Sequence, residues 1–293
     1  MNSSAIETQF SGQGLDCEVV VTRGGAPAMR DRITGEVMHP IVGPRAEAES
    51  LYISPSRLRE RLLAYRPQPL CLFDVGLGAG SNAIAAWQVS EALDENARRL
   101  EIISFDQSLA GLACALEPAH RAAFDLDGRA GQAAGFLLRH QHYDTPRTRW
   151  RVQLGELPTT LLRESEGIAE VVFWDPFSPR ANPNLWNLAA FRTLISRCGP
   201  HMSLHTYSGA TAMRSALLLA GFAVGEGEPT TVGKRTTCAA RDVKALAHPL
   251  DYRWLARLTR SSAGLPPDAP ANALHFIRTA PQFAESSAAS ATR

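Results

Sequence analysis

Apolar residues follow two different spacings along the chain, and the two spacings alternate from Leu70 onward. Short apolar runs that suit buried strands are followed by segments whose apolar positions recur every three or four residues, as in amphipathic helices. This alternation predicts a mostly parallel sheet with flanking helices. Seven strands are predicted, at 70–75, 101–106, 150–154, 170–175, 201–206, 222–225 and 235–240. Helices are predicted at 81–90, 109–116, 158–164, 185–197 and 210–219, with inserted helices over 117–149.

The two ends of the chain have different patterns. The segment 17–22 predicts a strand, and Gly24-Gly25 predicts a turn after it, so we expect a small N-terminal β-hairpin. After Leu246 the periodic signal fades, and the Ala- and Ser-rich last dozen residues or so are expected to be disordered. We therefore divide the chain into an N-terminal extension over 1–50, one domain over 51–246 and a C-terminal tail over 247–293.

Composition narrows the class of protein. The net charge is +1, from 30 basic and 29 acidic residues, which does not indicate a strongly basic nucleic-acid binder. No long apolar run predicts a membrane span, and no export signal is visible, so we expect a cytoplasmic protein. The five cysteines form no CxxC pair, which argues against a disulfide framework and against a metal site.

A glycine-rich segment between the first predicted strand and helix carries the sharpest local signal, Asp74-Val75-Gly76-Leu77-Gly78-Ala79-Gly80-Ser81-Asn82. Glycines allow a tight turn and a close approach of the backbone to a ligand, and the helix N-terminus beyond favours negative charge. The glycine spacing differs from that of dinucleotide sites. Together with Asp74, it fits the amino-acid end of S-adenosylmethionine (AdoMet), although a tight turn or another nucleotide site is the alternative.

The next predicted strands also end in polar residues. Asp106, followed by Gln107, ends the second strand, where a carboxylate can accept both hydroxyls of a ribose. Gly155-Glu156 follows the third strand, near where an adenine would lie. Open α/β sheets bind ligands at these carboxyl ends, which favours a binding site over solvated strand ends.

Asp175 ends the fourth predicted strand, beside the place where the methyl donor would present its sulfonium. We predict that Asp175 contacts the cofactor and is catalytic, because it can hold an amine acceptor and take up its proton. Pro176 and Phe177 follow as candidate substrate contacts. Tyr52 and the pair Lys234-Arg235 are further candidates for acceptor binding, although adjacent cations on a loop are also commonly just solvated.

The segment after the fourth strand resembles the Asp-x-Phe-x-Pro-x-x-Asn-Pro-x-x-Trp signature of the MnmC-type tRNA methyltransferases, and it has the form Asp175-Pro176-Phe177-Ser178-Pro179-x-x-Asn182-Pro183-x-Leu185-Trp186. The resemblance covers about 51–240. It implies a class I, Rossmann-like methyltransferase that methylates the aminomethyl group of a modified wobble uridine in tRNA, with AdoMet as cofactor. It also implies the stand-alone form, with a separate flavin-dependent oxidase acting upstream. The chain departs from the family at Asp106, where Glu is frequent, and at Pro176, where Gly is frequent.

Three other functions remain open from the sequence. The first is an AdoMet-dependent methyltransferase for a small molecule or a protein, which the near-neutral charge favours. The second is a non-catalytic AdoMet-binding module, which would not need Asp175. The third is a nicotinamide dehydrogenase, which the glycine spacing disfavours.

Overall fold

An eight-stranded sheet lies at the centre of the computed structural model, which describes residues 17–22, 25–38, 43–164, 167–230 and 233–283. Together with a separate two-stranded hairpin, the strands are β1 (Cys17–Val21), β2 (Pro27–Asp31), β3 (Leu70–Val75), β4 (Leu100–Asp106), β5 (His142–Asp144), β6 (Thr148–Leu154), β7 (Ala169–Trp174), β8 (Cys198–Thr206), β9 (Ala223–Gly227) and β10 (Thr236–Ala240). The helices are α1 (Pro44–Ala48), α2 (Ser54–Ser56), α3 (Leu58–Leu63), α4 (Ser81–Glu91), α5 (Ala110–Ala115), α6 (Arg129–His140), α7 (Thr159–Arg163), α8 (Leu188–Ser196), α9 (Thr211–Ala220), α10 (Tyr252–Leu258) and α11 (Ala273–Arg278).

The order of the strands places a topological switch point at the middle of the sheet. The order is β5-β6-β4-β3-β7-β8-β10-β9, and the five strands from β6 to β8 are parallel. From β3 the chain first adds β4 and β6 on one side and later β7 and β8 on the other. Because open α/β sheets bind ligands where the order reverses, the carboxyl ends of β3 and β7 mark the expected site. The predicted class I fold with a mostly parallel sheet is confirmed.

Helices cover the sheet on both faces, which explains why its central strands are mostly apolar. Every residue of β3 is buried, as expected for a parallel strand with helices above and below it. Alternate side chains enter two separate cores. Leu72 packs with residues of α4, α5 and α6, whereas Phe73 packs with residues of α7, α8 and α9.

The N-terminal hairpin was predicted, and the structure confirms it. β1 and β2 pair antiparallel, with Cys17 opposite Asp31. The buried side chain of Met29 joins the first core, and the thiol of Cys114 in α5 lies 3.9 Å from the carbonyl oxygen of Cys17. The hairpin is therefore attached to the face of the domain that carries α5.

Two regions contain more structure than the sequence indicated. The prediction of seven strands misses β5, which pairs antiparallel with the edge strand β6. Beyond Leu246, where the sequence indicated no element, α10 and α11 pack against the second core through Trp254, Leu258 and Ile277. Disorder was expected at the end of the chain, and residues 284–293 lie outside the described ones. None of the helices over the described residues has the length and apolar character that a membrane crossing requires.

Candidate active site

The glycine-rich loop connects β3 to α4 and passes directly beside the end of β7. Gly76, Gly78 and Gly80 have φ angles of +89°, +52° and +86°, a region that side chains other than glycine rarely adopt. A Cβ atom at Gly76 would lie 2.6 Å from the carbonyl oxygen of Asp175, which is too close for any side chain. Glycine at position 76 therefore lets two strand ends meet.

Asp106 lies at the end of β4 and is tied to the same loop. Its Oδ2 accepts a hydrogen bond of 2.9 Å from the backbone N–H of Gly78, and its Oδ1 accepts one of 2.7 Å from Gln107. Burial raises the pKa of this carboxyl, and the backbone hydrogen bonds oppose that rise. The backbone N–H of Ser108 also donates to Oδ1, over 3.3 Å, so Asp106 joins the end of β4 to the glycine-rich loop at the cavity wall.

Asp74 lies beneath the glycine-rich loop rather than at its surface. Its Oδ2 accepts a hydrogen bond of 2.7 Å from Ser104 Oγ, which itself accepts one of 3.0 Å from the indole nitrogen of Trp150. Burial raises the pKa of Asp74 to about 7, against the opposite effect of the Ser104 hydrogen bond. The Asp74 side chain is thus tied to β4 and, through Ser104, to Trp150 of β6.

Asp175 follows β7 and faces the first turn of α4. Asn82 Nδ2 donates a hydrogen bond of 2.7 Å to Asp175 Oδ2. Tyr52 is completely buried; burial and the Asp175 carboxylate both raise the pKa of its hydroxyl. The pKa of Tyr207 is raised by the same two causes. Asn82 therefore fixes one oxygen of the candidate catalytic carboxylate, and two tyrosine hydroxyls that stay protonated lie near it.

The loop after Asp175 is held by contacts that reach from distant parts of the chain. Tyr207 donates its hydroxyl proton to the carbonyl oxygen of Pro176 over 3.1 Å, and Trp186 Nε1 donates to that of Phe177 over 2.7 Å. The rings of Tyr207 and Trp186 pack edge to face, with centroids 5.7 Å apart. Trp186 therefore both packs the loop and hydrogen-bonds it.

A cavity of about 700 Å³ opens above these strand ends. It brings together most of the predicted site residues, namely Gly76, Gly78, Asn82, Asp106, Gln107, Gly155, Asp175, Pro176, Phe177 and Lys234. The remaining predicted residues do not line it: Asp74, Gly80, Tyr52, Glu156 and Arg235. Of these, Glu156 is exposed, and Arg235 forms an ion pair with Glu226.

The wall of this cavity is acidic. Among its described lining residues are five carboxylates, from Asp31, Glu36, Glu47, Asp106 and Asp175, against the single lysine Lys234. The sequence did not single out the first three of these, which come from the N-terminal hairpin and from α1. No local pattern marks them, since only the folded hairpin brings them to the strand ends. Such a wall favours a cationic ligand.

The residues present fit AdoMet. Ser81 Oγ and Asn82 Oδ1 are buried and have no hydrogen-bond partner among the described residues, although both side chains line the cavity. They can pair with an amino-acid ammonium or carboxylate at the N-terminus of α4. A Cβ atom at Gly78 would lie 2.9 Å from Met38 Sδ, so glycine at this position makes room for the Met38 side chain, which also lines the cavity.

Comparison with known proteins agrees with this geometry. Residues 133–242 match the profile of a family described as S-adenosyl-L-methionine-dependent methyltransferase. This part of the chain is therefore similar to AdoMet-dependent methyltransferases. Its resemblance to the MnmC-type proteins is also confirmed, since curated relatives carry the name tRNA 5-methylaminomethyl-2-thiouridine biosynthesis bifunctional protein MnmC.

Two of these relatives show how far the similarity extends. The protein of Pseudomonas paraeruginosa is 28% identical over 66% of this chain, and that of Chromobacterium violaceum is 26% identical over 87%. This chain spans 30% and 36% of their respective lengths. The similarity therefore concerns one part of larger bifunctional proteins.

Solved structures agree on the fold. MNMC2 from Aquifex aeolicus superposes with a TM-score of 0.69 at 24% identity, over 91% of this chain and 84% of that one. A spermidine synthase in complex with the transition state analogue AdoDATO gives a TM-score of 0.50 at 13% identity, over 81% of this chain and 74% of that one. These neighbours support the class I architecture described above.

Proposed function

We propose that this protein transfers a methyl group from AdoMet to the aminomethyl nitrogen of a modified wobble uridine in tRNA. The observation that carries the proposal is Asp175, held by Asn82 at the junction of the glycine-rich loop and an acid-lined cavity. The names of the MnmC relatives support tRNA as the acceptor. In this proposal the protein acts in the cytoplasm, where a separate flavin-dependent oxidase prepares its substrate.

The residues around the cavity divide into two groups in this proposal. The backbone of Gly76, Gly78 and Gly80 and the side chains of Asn82, Asp106 and Gln107 hold AdoMet, with Gly155 and Glu156 at its adenine end; Asp74 is buried at the end of β3, outside the cavity wall. Bound AdoMet supplies an electrophilic methyl group on a sulfonium. Pro176, Phe177 and Lys234 face the acceptor, whereas buried Tyr52 acts through Asp175 and Arg235 lies outside the cavity.

Asp175 solves the main chemical problem of an amine acceptor. An alkylammonium has no lone pair, so it must lose a proton before its nitrogen can accept a methyl group. The carboxylate attracts the ammonium and takes up that proton, directly or through a water molecule. Asn82 keeps the carboxylate in place, and correct alignment is the main contribution that the protein makes to such a transfer.

A second candidate acceptor follows from the same acidic wall. The five carboxylates that line the cavity would also attract a small free amine or a lysine side chain, and the net charge of +1 does not require a nucleic-acid substrate. The experiment must therefore compare acceptors as well as variants.

The test is transfer of labelled methyl from AdoMet to bulk tRNA that lacks the wobble methyl group. We expect label in tRNA with the wild-type protein and with Asp94→Ala, which changes an exposed aspartate as a matched control. Asp175→Ala should lose transfer but keep AdoMet binding in calorimetry. Label in polyamines or protein but not in tRNA would reject the tRNA acceptor, and full transfer by Asp175→Ala would reject the role of Asp175.

A further inference from the structure

The N-terminal hairpin, together with the turn and the short bridged segment that follow it (residues 32–38), reaches across the cavity to the loop that follows Asp175. We propose that Glu36 is a positioning residue for this acceptor-side loop, residues 175–186, so that the N-terminal extension forms part of the active site. The proposal deepens the proposed function, because it assigns a role in the same site to a segment outside the strands and loops that carry the other residues.

The contact between Glu36 and Ser178 has two parts. One carboxylate oxygen of Glu36 accepts a hydrogen bond of 2.9 Å from the backbone N–H of Ser178, and the other accepts a short one from Ser178 Oγ. Both side chains are half-buried. Hydrogen bonds to an ionised carboxylate are roughly twice as strong as neutral ones, so this pair can hold the loop at Ser178, which lies outside any strand or helix.

The hairpin side of this contact is rigid. Asp31 Oδ1 accepts hydrogen bonds from the backbone N–H and the hydroxyl of Thr34, at 2.6 and 2.7 Å, which closes the turn after β2. The backbone N–H of Asp31 donates to the carbonyl oxygen of Glu36 over 2.9 Å, and Val37 bridges back to Arg30. Glu36 is thus fixed on both sides by backbone pairing.

The loop side transmits any movement of Ser178 to the reacting groups. The carbonyl oxygen of Ser178 accepts hydrogen bonds from the backbone N–H groups of Ala181 and Asn182. Pro176 and Pro179 flank Phe177-Ser178 and restrict its backbone. A shift at Ser178 therefore moves the Pro176-Phe177 wall of the acceptor side, three residues or fewer from Asp175.

The hairpin segment also contacts the cofactor side of the cavity. A test must therefore distinguish an effect on AdoMet binding from an effect on the acceptor-side loop. Met38 lies against Gly78 in the glycine-rich loop. The hydrogen bonds that the Glu36 carboxylate makes to the described residues go only to the acceptor-side loop. Loss of the Glu36 carboxylate should therefore impair transfer to the acceptor more than it impairs AdoMet binding.

The experiment uses the full chain with Glu36→Ala, Glu36→Gln and Ser178→Ala. The matched control is Glu18→Gln, since Glu18 lies on the same hairpin, pairs with Arg30 and Arg32, and does not line the cavity. Hydrogen exchange of the peptide that covers 176–186 measures how firmly Glu36 holds the loop at Ser178, and it needs no acceptor. Calorimetry gives the Kd of AdoMet, and methyl transfer gives kcat and KM for the acceptor.

We expect Glu36→Ala to speed exchange of the Ser178 amide and to lower kcat/KM for the acceptor, each about tenfold, with an AdoMet Kd within about twofold of wild type. Glu36→Gln should recover part of the loss, because its amide oxygen still accepts the backbone N–H. The double variant Glu36→Ala/Ser178→Ala should lose less than the sum of the single losses.

Two results would overturn the proposal: unchanged exchange of the Ser178 amide in Glu36→Ala, or an AdoMet Kd that rises as much as kcat/KM falls. The second result would mean that the hairpin only supports the cofactor loop. Because exchange and AdoMet binding need no acceptor, failure of the tRNA assignment would leave both measurements decisive for Glu36.

Discussion

The backbone at Gly76 lies close to that at Asp175, and this contact gives a prediction that can be tested against a second glycine as control. Gly76→Ala introduces two separate costs. The first is the backbone conformation, since a φ of +89° disfavours an L side chain by about 1–2 kcal/mol. The second is steric, since the new Cβ would lie 2.6 Å from the carbonyl oxygen of Asp175 and 2.8 Å from its carbonyl carbon.

Gly128→Ala isolates the first cost. Gly128 also has a positive φ, +64°, but a Cβ there would meet nothing within 4 Å. With ψ at −130°, Gly128 lies in a region that other residues rarely adopt, so we expect Gly128→Ala to lower the free energy of unfolding by about 1–3 kcal/mol. Overpacking adds about 1–3 kcal/mol at Gly76, so Gly76→Ala should lose about 2–5 kcal/mol in total.

The assay is urea unfolding of both variants, followed by AdoMet titration in the calorimeter under conditions where both are folded. Gly128→Ala should bind AdoMet as the wild type does, because the residue lies before α6 and outside the cavity. Gly76→Ala should bind AdoMet weakly, because the ends of β3 and β7 must separate to make room for the alanine side chain. Equal unfolding midpoints for the two variants, together with normal AdoMet binding by Gly76→Ala, would refute this account of the loop.

Three further predictions concern charges in and below the cavity. Because burial raises the pKa of Asp74 from 3.8 to about 7, the stability of the wild type relative to Asp74→Asn should fall as pH rises from about 4 to about 7 and then level off; a flat difference in urea titrations would contradict this. Asn82→Ala removes the 2.7 Å hydrogen bond to Asp175 and should lower kcat/KM about tenfold in the methyl-transfer assay, whereas an unchanged rate would show that Asp175 needs no such support. Lys234→Gln should weaken tRNA binding and reduce the slope of log K against log salt by about 0.7–0.9 if Lys234 contacts a phosphate, and an identical slope would place Lys234 off the RNA.

The central sheet could be predicted from the sequence because its strands are buried on both faces. A run such as Leu70–Val75 is apolar at nearly every position, and the polar residues that matter stand where such runs stop. The sequence alone therefore places the glycine-rich loop, Asp106 and Asp175 together at the carboxyl ends of the parallel strands. The cavity confirms that Gly76, Asn82 and Asp175 lie together.

Other features of the fold and the site could not be predicted from any local pattern in the sequence. Strand β5 has three residues, none of them buried, and pairs only at the edge of the sheet, so no alternation announces it. Tyr52 was a candidate for acceptor binding from the sequence, and only the packing shows it buried beside Asp175. Glu36 and Glu47 are ordinary polar residues in the sequence, because their role depends on the fold of the N-terminal segment over the cavity.

The contact between Glu36 and Ser178 also bears on how the protein is synthesised. These residues are 142 positions apart in the chain. At about 5–20 residues per second, a ribosome needs on the order of ten seconds to extend the chain from one to the other. During that interval the Glu36 carboxylate, which is half-buried in the finished protein, has no loop to hold and is open to solvent. Chaperones that meet the emerging chain therefore encounter Glu36 without its hydrogen-bond partner.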